Sequence, residues 1–283
     1  MLSALLGLVG AAIYGASDFF GGMAARRISA FAVTGIGSTT GLVLILLGSI
    51  AIPSIWSGAA IVTGALSGLA GALALVLFYA CLAIGPMSIL APITALGSAL
   101  VPILVGFARG ERLSVYGYLG LVVGLIAITL ICFVPGEGRV RPSRRGILFA
   151  VGASVGVGLY LVTIDLSPAS SGLAPLIVSF AVTALVMAAI LAVRRFSARG
   201  EASGLSRSAL AFALLCGATD GVAAVLILVA LRLGDLSVVS VLNALAPAGT
   251  IVLAAVVLRE RIAVVQWAGL AVALVSAGLL ALA

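Results

Sequence analysis

The sequence predicts an all-α integral membrane protein of ten transmembrane helices, arranged as two inverted five-helix repeats. Three observations predict it. Hydrophobic residues make up 64% of the 283 and charged residues 8%, with a mean hydropathy of +1.40, whereas a soluble domain carries about 25% charged residues. The 81 residues from 28 to 108 hold no charge, and because one crossing needs about 20 apolar residues, this stretch has room for three. Finally, Leu82–Gly120 lies over Leu231–Gly269 without a gap, at a constant offset of 149 residues, which marks an internal repeat.

Hydropathy, turn residues and charges place the spans in order. The first, 2–22, runs up to Arg26 and Arg27. No basic segment precedes it and nine further apolar segments follow, so it reads as a retained span and not a signal peptide. Turn-forming residues then separate 29–50, 59–83 and 88–108. Arg109, Glu111 and Arg112 introduce 114–134, which ends at "VPGEGRVRPSRR", Val134–Arg145, the most polar connection in the chain. Beyond it lie 146–165 and 173–193. Arg194, Arg195, Arg199 and Arg207 separate these from 208–231, Arg232 precedes 237–257, and Arg259 and Arg261 precede 263–282. Runs such as "LVLILLGSIAI" and "IVLAAVVL" lack the apolar–polar alternation of a membrane barrel strand.

The chain accordingly divides into a first repeat, 1–135, a basic connector, 136–145, and a second repeat, 146–283. In the overlay Gly85 falls on Gly234, Ser88 on Ser237, Glu111–Arg112 on Glu260–Arg261 and Gly120 on Gly269. Matches between apolar residues carry little weight in so apolar a chain, so the charged pair and the glycines decide. Five spans per half is an odd number, so the second half enters the bilayer from the opposite side, as in many secondary transporters. The loops after spans 1, 5, 7 and 9 hold 12 arginines and the opposite loops 3. Basic loops stay cytoplasmic, which predicts a multi-pass protein of the cell membrane with both termini external.

All 15 basic residues are arginines and there is no histidine. The arginines lie in inter-span loops, not in a basic stripe interleaved with aromatics, so no nucleic-acid partner is expected. Cys81, Cys132 and Cys216 all fall inside apolar runs, which supports neither metal ligation nor a disulfide framework. No phosphate-binding loop occurs, so ATP-driven transport has no support, and no cofactor is expected.

Two halves of five spans, each closed by "GERLSVYGYLG" or "RERIAVVQWAG", resemble EamA-domain proteins of the drug/metabolite transporter superfamily. The likeness covers nearly the whole chain, and "YGASDFFGGMAARR" also resembles the first span of one branch of that family. The resemblance implies a secondary transporter, a monomer or a loose associate, that moves small metabolites or drugs, often outward. It does not imply a particular substrate.

The residues that could bind a solute are few. Asp220 falls at the middle of its span, where a charged side chain costs about 2.5–3.5 kcal/mol; it either serves a proton or an amine, or is a neutral carboxyl bonded to a neighbour, with Thr219 at hand. Asp18 either lines a site near the inner gate or snorkels to Arg26 and Arg27. Tyr14, four residues before it, shares its helix face, and a phenol beside a carboxylate suits a polar or cationic solute. Tyr79 and Tyr160 bring rings and hydroxyls inward, although tyrosine also populates interfacial belts. Pro247 cannot donate to the carbonyl of Asn243, which predicts a kink with a free acceptor. Thr94 is the repeat counterpart of Asn243 and is flanked by Pro92 and Pro102; broken helices at matching places point to a transport site, and flexible packing is the other reading. Glu111 and Glu260 open their helices and are expected to cap them.

Together these features predict a secondary active transporter of small solutes, with protons as the candidate coupling ion. A channel or scaffold without alternating access is one alternative, and a ring of charges would mark a channel. A membrane-embedded enzyme acting on lipids is the other, and it would need clustered acids, histidine or a nucleophile–base pair.

Overall fold

The computed structural model describes residues 1–52, 54–84, 87–133, 143–197, 206–259 and 261–283. The helices follow the predicted spans. They are α1 (Leu2–Ala25), α2 (Ala30–Gly48), α3 (Gly58–Ile84), α4 (Met87–Ala108), α5 (Val115–Cys132), α6 (Arg144–Asp165), α7 (Ala174–Ser197), α8 (Arg207–Leu233), α9 (Leu236–Asn243), α10 (Ala246–Val257) and α11 (Val264–Ala281). Residues 136–142 of the connector and Glu260 lie outside the described residues.

Serine sets several of the helix starts. Ser29, Ser114, Ser143 and Ser206 each accept the third following backbone N–H, opening α2, α5, α6 and α8, because a helix's first amides have no partner within the helix. The outer faces are aliphatic: Leu104, Leu148, Leu185, Val256 and Leu274 are among many large exposed hydrophobics. Water would not tolerate such a surface, and lipid does. The helices long and apolar enough to cross a membrane make the chain a multi-pass membrane protein.

Packing follows an exchange rule. α1 packs on α8 and α3 on α6; α2 packs on α8 and α3 on α7; α4 packs on α6, and α1 on α9 and α10. Replacing each helix by its counterpart in the other half turns the first member of each pair into the second. α2–α7 and α5–α11 map onto themselves. A further correspondence lies in the loops: Gly110 (φ 93°) and Arg259 (φ 57°), both left-handed, are 149 positions apart.

The proline-containing spans of the two halves differ. The ninth span is interrupted at Ala244–Leu245, where the kink is expected, giving α9 and α10, because Pro247 in the first turn of α10 has no N–H to extend α9. Its counterpart α4 runs unbroken past Pro102. There the proline ring lies against the bare backbone of Gly158 on α6, where a Cβ would come within 3.2 Å of Pro102 Cδ.

Glu111 departs from expectation in a different way. It does cap a helix, but not its own. Ser114 caps α5, while Glu111 Oε1 accepts Leu236 N–H at 2.9 Å and Oε2 accepts Ser237 N–H at 3.2 Å and the Ser237 hydroxyl. The carboxylate therefore serves the positive end of α9, in the other half of the chain. The turn that presents it is a Schellman motif: Gly110 N–H donates to Phe107 O (3.0 Å) and Glu111 N–H to Gly106 O (3.0 Å).

Candidate functional site

α1 and α8 make the most extensive helix pair in the fold, and each carries one carboxylate of the spans, Asp18 and Asp220. Ser17 ties the two helices by donating to the carbonyl of Cys216 at 3.0 Å. From there Asp18 on α1 and Asp220 on α8 come close enough to interact electrostatically, and Tyr14 and Tyr160 are within reach of Asp220 as well. The phenols of Tyr14 and Tyr160 come near each other, between the first helix of one half and the first helix of the other. Asp18 is exposed. Tyr14, Tyr160 and Asp220 are half-buried.

Arg27 turns away from Asp18: it donates to the Ser208 hydroxyl, and its guanidinium stands over the Phe212 ring at 5.8 Å. Thr219 donates to its own helix, to Leu215 O at 2.8 Å and Cys216 O at 3.0 Å. Among the described residues the ion pair found is Arg109–Asp165, at the end of the bundle that carries the α4–α5 and α6–α7 loops. Neither Asp18 nor Asp220 is neutralised by a described cation.

The divided ninth span runs beside this group. Gly15, next to Tyr14, rests on the break; a Cβ there would stand 2.3 Å from the carbonyl oxygen of Ala246 and 2.7 Å from Thr250 N. Thr250 donates to the Gly15 carbonyl at 2.9 Å. Tyr14 and Tyr160 pack on the core cluster that contains Val239 of α9, and Asn243 lies one turn further along the same face. The buried Asn243 Oδ1 accepts no hydrogen bond.

The structure thus brings Tyr14, Asp18, Tyr160 and Asp220 together, and sets Asn243 and Pro247 at the break beside them. Thr94 is buried on α4, a helix that packs on α6 and α9. Tyr79 lies on α3, and its side chain is outside the described ones. The residues that sequence reasoning passed over are at the ends of the bundle: Asp165, Asp235, and Arg232, which donates to the Gly172 carbonyl at 2.6 Å. Two outer grooves are aliphatic, one between α2 and α8 along Val43 and Leu214, the other among α1, α10 and α11 along Leu8 and Leu274. They suit lipid chains, not a polar solute.

The family model of EamA-like transporters, a family of the drug/metabolite transporter superfamily, matches residues 144–282, the second half of the chain. No curated protein matches it. A crystal structure of another protein superposes with a TM-score of 0.77 at 18% identity, covering 99% of this chain and 98% of that one; the likeness is one of fold.

Proposed function

We propose that the chain is a secondary active transporter that exports small metabolites or drug-like solutes across the cell membrane by alternating access, with protons as the coupling ion. One observation carries the reading: Asp18 on α1 and Asp220 on α8 lie on the two helices that pack most extensively on each other, near enough to interact electrostatically, without a described cation to pair them. Ionisable groups inside a membrane are expensive and are retained for function. A proton or a solute is what such a pair can exchange.

Residues 1–135 and 146–283, joined by the connector 136–145, are read as two five-helix repeats of opposite orientation. The exchange-symmetric packing and the paired left-handed residues Gly110 and Arg259 support this. With 12 arginines on the loops of one face, that face is cytoplasmic and both termini are external, and the chain works as a monomer. The match to the EamA-like transporter family supports a carrier over an enzyme.

Reconstitution into proteoliposomes tests it. An imposed pH gradient should drive uphill solute movement, and unlabelled solute on one side should accelerate exchange of labelled solute from the other. Flux that only follows its own gradient, without exchange, would make the protein a channel.

A further inference from the structure

We propose that the groove between α2 and α8 is a binding site for an anionic phospholipid in the leaflet at the arginine-rich face, with an acyl chain lying in the groove and the phosphate against Arg207 and Arg27.

The groove follows from the way the two helices touch. α2 and α8 meet backbone to backbone: a Cβ on Gly217 would stand 2.2 Å from the carbonyl oxygen of Gly37, and one on Gly221 would stand 3.1 Å from the Cα of Gly41. Small residues let membrane helices approach this closely. Larger side chains beside the seam, Val43 and Leu44 on α2 and Leu214 and Leu215 on α8, stay exposed, and they line a groove of about 590 Å³. Thr40 also lines it, but its hydroxyl donates to the Ile36 carbonyl of its own helix at 2.9 Å. The groove therefore presents an apolar surface that suits a chain of methylenes.

Charge decides which lipid. Both helices begin on the face whose loops hold 12 arginines, and Arg207 is the first residue of α8. Arg207, Ala211, Leu214 and Ala218 recur at helical spacing, so the arginine heads the stripe of α8 that lines the groove. A helical side chain leans towards the N-terminus of its helix, which carries the Arg207 guanidinium towards the membrane surface. Arg27 reaches the same turn from the end of α1, where one of its N–H donors goes to the Ser208 hydroxyl. Both arginines are exposed, and among the described residues neither is paired with a carboxylate. Basic residues between membrane helices bind anionic headgroups, and the positive end of the α8 dipole acts in the same direction. A phosphocholine, whose own ammonium balances its phosphate, gains less. The groove among α1, α10 and α11 has no arginine on any of its helices and does not select by headgroup charge.

The test uses the full chain with Leu214→Trp made in a Trp56→Phe, Trp267→Phe background, reconstituted in mixtures of phosphatidylcholine and phosphatidylglycerol. One lipid or the other is supplied with brominated acyl chains, which quench a tryptophan they touch. A control protein carries Leu148→Trp instead; Leu148 is exposed, one turn beyond Arg144 on α6, and outside the groove. At Leu214→Trp, phosphatidylglycerol should be preferred over phosphatidylcholine about fivefold or more, the factor that one arginine near an anionic headgroup supplies. Arg207→Gln should shrink that ratio, and Arg27→Gln with Arg207→Gln should bring it to one. At Leu148→Trp the ratio should be close to one from the start. Equal quenching by the two lipids at Leu214→Trp would overturn the proposal, and so would a preference that survives the double arginine variant. The same preference at Leu148→Trp would reduce it to general attraction to a basic surface and overturn it too. Displacement of the lipid by soluble sn-glycerol 3-phosphate would mark a site for free phosphate and have the same consequence.

Discussion

Glu111, in the turn between α4 and α5, holds the start of α9 through Ser237. Its carboxylate takes the Ser237 hydroxyl and the N–H groups of Leu236 and Ser237, and Ser237 is wholly buried. Asp235, in the position that would cap α9, makes no capping bond. α9 is therefore a half-helix pinned at one end by the opposite half of the protein and freed at the other by the Ala244–Leu245 break. Such an element can swing as a unit if the pin is released.

Glu111→Ala removes three charge-assisted hydrogen bonds. These are worth about 1.5–3 kcal/mol each on the usual scale, less what water restores, so a loss of about 2–3 kcal/mol of stability is expected. A conformational readout separates a latch from a mere staple. With Cys81 and Cys132 replaced by serine, Cys216 beside Ser17 reports on the central site. A membrane-impermeant maleimide added from the side of the α8–α9 loop should label Cys216 faster in the Glu111→Ala protein. Unchanged labelling would leave Glu111 a structural cap only.

Most of the fold is legible in the sequence because lipid leaves so few options. A span must be apolar, long and helical, and positions such as Arg26–Arg27 and Arg259–Arg261 can lie only outside it. The four residues that meet at the centre, Tyr14, Asp18, Tyr160 and Asp220, were also legible, since a polar group in a span stands out against leucine and alanine. What was hidden is pairing at a distance. Glu111 precedes α5 by four residues, and nothing local shows that it serves α9, 125 positions away. The break at Ala244–Leu245 has the same character: Pro102 and Pro247 look alike in sequence, yet α4 continues past its proline and α9 stops short of its own.

Asp235 gives a pH test of the same corner. It lies outside the spans, and burial and the neighbouring Glu111 carboxylate push its carboxyl above the usual range. An acid whose pKa is higher in the folded state favours folding when protonated. Its contribution is present below the unfolded pKa, about 3.9, and is lost as pH rises through the folded value. Asp235→Asn should therefore raise the melting temperature at pH 7, with the gain shrinking to nothing towards pH 4. A constant difference across that range would assign the effect to something other than titration.

Two glycines of α1 should respond to alanine with opposite sign. At Gly15 the new methyl would press on the Ala246 carbonyl and the Thr250 amide, both of them backbone atoms, and overpacking of this kind costs about 1–3 kcal/mol. At Gly22 nothing lies within 4 Å, so alanine should add about 0.5–1 kcal/mol through helix propensity. Thermal unfolding in one detergent compares the two directly. A Gly15→Ala protein as stable as its Gly22→Ala counterpart would mean that α1 does not rest on the break as described.

The decisive substitution for transport is Asp220→Asn. It keeps the shape and removes the charge from the α8 side of the pair. If Asp220 exchanges a proton for solute, flux driven by a pH gradient should fall by at least about tenfold, equivalent to about 1.4 kcal/mol of barrier. Folding should survive, because a neutral amide is cheaper to hold away from water than a carboxylate; a small gain in melting temperature would fit a charge kept for function. Asp18→Asn, made in parallel, tells whether the two acids act together: coupled groups should give a double variant no slower than the worse single one. Wild-type flux in Asp220→Asn at every pH would make Asp220 a packing acid and leave Asp18 as the group that carries the coupling.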